Sequence, residues 1–119
     1  MKTQQNSIEQ ITVDKLDSII NEGQFKIIDV RNAKGIETQG SIPNAINIPF
    51  EDIDQAIDCN HKDYNSIFNS EDQFLFCCTG GVMSYMAALK AQEKGIKQVY
   101  NLEGGHSAWK NLKHSQELV

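Results

Sequence analysis

No apolar run in the chain approaches the roughly 20 residues of a membrane span, and the opening stretch Met1-Lys2-Thr3-Gln4-Gln5-Asn6-Ser7 has one positive charge with only polar residues behind it. A signal peptide needs an apolar core there, so none is expected and the default location is cytoplasmic. Positive charge is also scarce: 11 Lys and Arg stand against 16 Asp and Glu, a net charge of −5 with a pI near 5.1. Nucleic acids and anionic membranes both select a basic footprint, so neither is an expected partner. The three cysteines, Cys59, Cys77 and Cys78, form an odd set, and two of them are adjacent. Neighbouring cysteines rarely bridge because disulfide geometry strains a single peptide unit. A structural disulfide framework is therefore not expected, in keeping with a reducing compartment. Aromatic residues make up only 8% and hydrophobic residues 39%. The apolar residues nevertheless gather in short blocks, which argues for a folded chain rather than a disordered one. A chain of 119 residues accommodates one core and is too short for two ordinary domains.

Residues 1–10 read as a polar lead-in, 11–114 as one domain and 115–119 as a C-terminal tail. Thr12 offers an N-cap for a helix carrying Val13, Leu16, Ile19 and Ile20 at helical spacing, stopped by Asn21-Glu22-Gly23. Phe25 to Val30 is β-branched and almost continuously apolar, the pattern of a buried parallel strand. Asn32 to Gly40 gives mixed signals, either a weak helical turn or a loop. Gly40-Ser41-Ile42-Pro43-Asn44 is a turn, because Pro43 fixes its own backbone and restricts Ile42. Ala45 to Ile48 then forms a short strand closed by Pro49. Phe50, Ile53 and Ile57 mark one face of an acidic helix, and Ile67-Phe68 a docked helical turn. Gln73 to Cys77 is the central strand. A helix follows the glycines, marked by Val82, Tyr85, Met86, Leu89 and Lys90, with Tyr85, Met86 and Leu89 assigned to packing and Gly95 at its end. Gln98-Val99-Tyr100 is a last strand, residues 101–105 a loop, and Ser107 to Leu112 a closing helix. Strands alternating with helices predict an α/β fold with a mainly parallel central sheet flanked by helices on both faces.

Phe74-Leu75-Phe76-Cys77-Cys78-Thr79-Gly80-Gly81-Val82-Met83-Ser84 organises the rest. It sets a thiol where a buried strand hands over to a helix N-terminus, and unpaired N–H groups and the helix dipole there favour an anion, here a thiolate. Other chemistries lack their residues. A nucleotide P-loop needs a lysine and a hydroxyl residue after the last glycine, and no lysine is present; G-x-G-x-x-G is also absent. A zinc site drawn from Cys59, His61, Cys77, Cys78 and His106 has no C-x-x-C spacing, and Cys59 with His61 reads as plain surface. A cysteine phosphatase needs arginine six residues after its nucleophile, where Met83 follows Cys77 and Ser84 follows Cys78.

Four segments, in order, resemble a known family. Ile27-Ile28-Asp29-Val30-Arg31 and Gly40-Ser41-Ile42-Pro43-Asn44-Ala45-Ile46-Asn47-Ile48-Pro49 resemble the opening half of a single-domain rhodanese. Cys78-Thr79-Gly80-Gly81-Val82-Met83-Ser84 is similar to its C-x-x-G-x-R-S active loop, and Leu102-Glu103-Gly104-Gly105 with Trp109 to its closing G-G-x-x-x-W. The resemblance implies a sulfurtransferase in which Cys78 accepts a sulfane sulfur from thiosulfate or a persulfide and passes it to a thiol or protein acceptor. It implies no metal and no organic cofactor, since the sulfur rides on the enzyme. Thr79, Gly80, Gly81, Val82, Met83 and Ser84 would cradle the anionic persulfide with their N–H groups, the glycines curling the backbone at no steric cost. Asp29, Arg31, Gly104, Gly105 and Trp109 would support the loop, with Asp29 and Arg31 either an ion pair or a substrate contact. Met83 stands where the family usually has arginine, which predicts poorer use of an anionic donor such as thiosulfate. Ser41 and Asn44 also depart from the pattern but leave the Gly40–Pro43 turn defined. Cys77 is either a small buried strand residue or a resolving thiol, and strand alternation points it away from Cys78. His106 is expected near the loop entrance. The alternative function is a weakly catalytic rhodanese-fold binding or regulatory module.

Overall fold

The structure, a computed structural model, describes residues 7–117. Residues 1–6 of the lead-in and residues 118–119 of the tail lie outside the described residues. Among the described residues five strands form one sheet: β1 (Glu9–Ile11), β2 (Phe25–Asp29), β3 (Ile46–Asn47), β4 (Gln73–Cys77) and β5 (Val99–Leu102). Their order across the sheet is β1-β5-β4-β2-β3, and every pairing is parallel. The helices are α1 (Leu16–Glu22), α2 (Ala33–Gln39), α3 (Ile53–Ala56), α4 (Val82–Glu93) and α5 (Gly105–Glu117). Short 3-10 turns cover Val13–Lys15, Phe50–Asp52 and Ser66–Asn69. Among the described residues no helix is long and apolar enough to cross a membrane.

The central strand β4 divides the core. Successive side chains of a strand point to opposite faces, so Phe74 and Phe76 join one cluster with Ile28, Phe68 and the alanines of α4. Leu75 and Cys77 join a second cluster with Leu16, Ile27, Ile42 and Leu102, against which Trp109 packs. Phe74, Leu75 and Phe76 have no exposed surface, and burying each such side chain contributes about 1.5–3 kcal/mol. Two-sided burial explains why this strand reads as an unbroken apolar run.

Several elements differ from the expectation. Glu9 and Gln10, read as lead-in, belong to β1, whose register pairs Gln10 with Asn101 and Ile11 with Leu102. Only Ile11 of that strand is buried, so an edge strand of three residues leaves no period to detect. Asn101 and Leu102, read as loop, complete β5; a polar side chain at a buried strand position hid its second half. The mixed stretch after Arg31 is helix α2, capped by Asn32 Oδ1 accepting the Gly35 N–H at 2.8 Å. The acidic helix is shorter than expected, because a 3-10 turn at Phe50–Asp52 leaves only Ile53–Ala56 as α3. Thr12 caps a 3-10 turn through its backbone without a side-chain cap bond, and α1 proper begins at Leu16. Helix α5 starts at Gly105 and runs to Glu117, past the expected Leu112 and into the stretch read as tail.

Candidate active site

Cys78 follows the last residue of β4 and is 5% exposed. Its Sγ accepts hydrogen bonds from the Gly81 N–H at 3.1 Å and the Ser84 N–H at 3.3 Å, and the Ser84 hydroxyl lies 3.2 Å away. Gly81 is the N-cap of α4, so both N–H groups are among those a helix leaves without internal partners. They are aimed at the sulfur, and the helix dipole adds to their preference for an anion. Of the N–H groups expected to form the cradle, only these two reach Sγ. Those of Thr79, Gly80, Val82 and Met83 do not.

The loop depends on Gly81 more than on Gly80. Gly81 has a φ of 97°, and a Cβ there would sit 3.1 Å from the Gly104 nitrogen and 3.2 Å from the Leu102 oxygen. A Cβ at Gly80 would meet nothing within 4 Å. The loop is braced from behind by the start of α5. The His106 N–H donates to the Cys78 carbonyl at 2.8 Å and the Ser107 N–H to the Thr79 carbonyl at 3.0 Å. Gly105 permits this approach, since a Cβ there would lie 2.5 Å from the Cys78 oxygen. At Gly104 the crowding is with the Ala108 Cβ, at 2.7 Å.

Asp29 and Arg31 form a buried ion pair. Arg31 Nη2 donates to Asp29 Oδ2 at 2.6 Å and to the Gly40 carbonyl at 2.9 Å, and Nε donates to the same carboxylate. Arg31 Nη1 has no hydrogen-bond partner among the described residues. Trp109 lies away from the sulfur and anchors α5 to α1, its indole N–H reaching Asp17 Oδ1 at 3.4 Å. His106 is also not at the entrance: it is 2% exposed and packs beside Trp109, with ring centroids 6.0 Å apart. Burial, reinforced by the Arg31 cation, holds its imidazole below the usual histidine range.

Cys77 faces the other way, into the second cluster. Burial, with the Asp29 carboxylate nearby, pushes its thiol well above the usual cysteine range. Cys59 is exposed and unpaired. Among the described residues no cluster of three His, Cys, Asp or Glu side chains is placed to hold a metal ion.

A cavity of about 540 Å³ opens in front of Cys78, with Phe50, Val82 and Met83 on its walls. Its charged lining residues are Arg31 and Glu51. The guanidinium is engaged by Asp29 through Nε and Nη2, and among the described residues no other cation lines the cavity. Val82 (73% exposed) and Met83 (45%) make its rim apolar; Met86, read as a packing residue, is 49% exposed.

Sequence reasoning missed Asn101 and Gln10. Ser84 Oγ lies 2.6 Å from Asn101 Oδ1, and Asn101 Nδ2 donates to the Gly81 carbonyl and to Gln10 Oε1, each at 2.9 Å. The available signal was a lone asparagine next to Leu102 just after an apolar strand.

Residues 12–112 match the family model described as Rhodanese-like domain. The chain is 31% identical over 112 residues to the mouse (Mus musculus) thiosulfate sulfurtransferase/rhodanese-like domain-containing protein 3, covering 90% of this chain and 71% of that one. A solved structure from Rhodopseudomonas palustris, described as a protein of unknown function and possible tyrosine phosphatase, superimposes with a TM-score of 0.86 at 31% identity, covering 89% of this chain and 82% of that one. The human single-domain sulfurtransferase TSTD1 shares the fold, with a TM-score of 0.73 at 23% identity, covering 86% of this chain and 95% of that one. A parallel sheet delivering a cysteine to a glycine-turned helix N-terminus, together with these matches, places the chain in the rhodanese-like domain family.

Proposed function

We propose that the protein is a sulfurtransferase that carries a sulfane sulfur as a persulfide on Cys78. The observation that carries this reading is the set of donors around Sγ, namely the Gly81 N–H, the Ser84 N–H and the Ser84 hydroxyl. Such a set holds a thiolate before reaction and a persulfide after it. In the first half-reaction the Cys78 thiolate attacks the outer sulfur of the donor. A new S–S bond forms, the donor's S–S or S–S(O) bond breaks, and the donor leaves with that electron pair as thiolate or sulfite. In the second, an acceptor thiolate attacks the outer sulfur of the Cys78 persulfide and regenerates the Cys78 thiolate. Electrons balance without an external oxidant.

The mouth favours one kind of donor. Thiosulfate is a small dianion, and nothing here replaces the arginine that Met83 displaces: Arg31 is tied to Asp29, and Glu51 adds a negative charge. The apolar wall of Phe50, Val82 and Met83 suits an organic persulfide, with a thiol or a protein-borne thiol as acceptor. Phosphatase chemistry does not fit, because neither Met83 nor Ser84 can grip a phosphate bidentately. The test is whole-protein mass spectrometry after incubation with thiosulfate or a low-molecular-weight persulfide. A gain of one sulfur that disappears in Cys78→Ser supports the reading, and its absence with both donors overturns it.

A second reading, a rhodanese-fold binding module with little turnover, draws on the exposed apolar side chains of Val82, Met83 and Met86. A Cys78→Ser variant that kept full cellular function would favour it.

A further inference from the structure

Asn101 is 1% exposed and Ser84 is fully buried, yet both side chains are polar and neither enters the sulfur chemistry described above except through the Ser84 hydroxyl. That hydroxyl has one proton and two acceptors in reach, Asn101 Oδ1 at 2.6 Å and Cys78 Sγ at 3.2 Å. The orientation of the Asn101 amide is set by its other end. Its Nδ2 meets the Gly81 carbonyl at 2.9 Å, an acceptor only, so turning the amide over would put oxygen against oxygen. The remaining Nδ2 proton goes to Gln10 Oε1 at 2.9 Å, and Gln10 is the register partner of Asn101 on the edge strand β1.

We propose that Asn101 is the positioning residue of the sulfur-carrying loop. One end of its amide holds Gly81 through the carbonyl, and the other holds the Ser84 hydroxyl. Those are the two residues whose donors converge on Cys78 Sγ. Gln10 holds the amide in turn, which links the edge strand to the reacting sulfur. While Cys78 is a thiol, its S–H donates to Ser84 Oγ, whose proton rests on Asn101 Oδ1. When the sulfur is an anion, the Ser84 hydroxyl turns its proton to the sulfur. The state of Cys78 thus sets which of two arrangements the hydroxyl adopts, and Asn101 keeps that hydroxyl in place beside the sulfur in both.

The inference rests on Cys78 being the sulfur carrier, and one readout does not depend on that: the rate of Cys78 alkylation by iodoacetamide across pH. The second readout is the rate of sulfur uptake from a low-molecular-weight persulfide. Asn101→Asp keeps the shape and the acceptor for Ser84. It places a carboxylate oxygen against the Gly81 carbonyl and a negative charge behind the sulfur. Uptake at saturating donor is expected to fall about tenfold, the loss of roughly one charge-assisted contact, with the half-saturating donor concentration little changed. The alkylation profile moves to higher pH; the added charge contributes to that, so the discriminating shift is the smaller one in the same direction expected of Gln10→Ala, which adds no charge and which a purely structural role would not cause. Gln10→Ala, a change at an exposed side chain that does not threaten folding, is expected to slow uptake about two- to threefold, at the low end of a single hydrogen bond. Wild-type uptake and an unshifted alkylation profile in both variants would overturn the proposal. If Asn101→Asp does not fold, Gln10→Ala decides alone on the same two readouts. If the wild-type protein takes up no sulfur, the carrier reading fails and the alkylation profiles still judge Asn101.

Discussion

Cys77 and Cys78 are one peptide bond apart and live in opposite halves of the molecule. Cys78 faces the cluster that includes Phe74 and Phe76, at the floor of a cavity, with three donors on its sulfur. Cys77 faces the cluster that includes Leu75 and Leu102, where burial and the Asp29 carboxylate hold it protonated. Strand alternation separates them, and the helix N-terminus serves only one. The same side chain is therefore a candidate carrier on one face and core filler on the other. The donors that converge on a sulfur belong to the turn after the strand, not to the cysteine pair.

The largest effects should come from breaking that asymmetry. Cys78→Ser is expected to abolish sulfur uptake by mass spectrometry, whereas Cys77→Ala should keep it. The cost of Cys77→Ala is about 1 kcal/mol of stability, roughly one buried group's worth, measured by urea unfolding. Gly105→Ala tests the brace behind Cys78. Its φ of 63° and a Cβ position 2.5 Å from the Cys78 oxygen force the backbone to shift. A loss of about 1–3 kcal/mol and slower Cys78 alkylation are expected. Unchanged alkylation would show that α5 does not shape the loop.

Much of this asymmetry was legible in the sequence, and the remainder was hidden for identifiable reasons. The strand Gln73–Cys77, the glycine turn and helix α4 announced themselves through an apolar run, two glycines and helical spacing. Edge strand β1 did not, because a single buried residue, Ile11, carries no pattern. Asn101 read as loop because a polar residue in a buried strand looks like a strand end until its partners Ser84, Gly81 and Gln10 are seen. Those partners are far apart in sequence, and only the sheet order β1-β5-β4 brings them together. His106 was misplaced for a related reason. Its backbone N–H does touch the loop, but its ring turns back toward Trp109.

Smaller effects sharpen the comparison. Met83→Arg restores a cation to the mouth of the cavity and should raise sulfur uptake from thiosulfate about tenfold, the worth of one charge-assisted contact, while changing uptake from an organic persulfide little. An equal gain with both donors would mean that charge at the mouth does not select the donor. On the opposite side, His106 should make stability fall as pH drops. Its imidazole is held below the ordinary value of 6.5, so below about pH 6.5 the unfolded chain binds a proton that the folded chain resists. Stability is then fully present above that pH and declines as acid titrates toward the depressed folded value. Urea midpoints across pH 4.5–7.5 should show this decline (the range is an approximate window about the histidine titration), and His106→Gln should flatten it.

The most direct test of the division between the two cysteines is site-resolved mass spectrometry after incubation with a low-molecular-weight persulfide. Fragments that separate Cys77 from Cys78 should place one added sulfur on Cys78 and none on Cys77. Sulfur on Cys77, or on neither residue, would contradict the account.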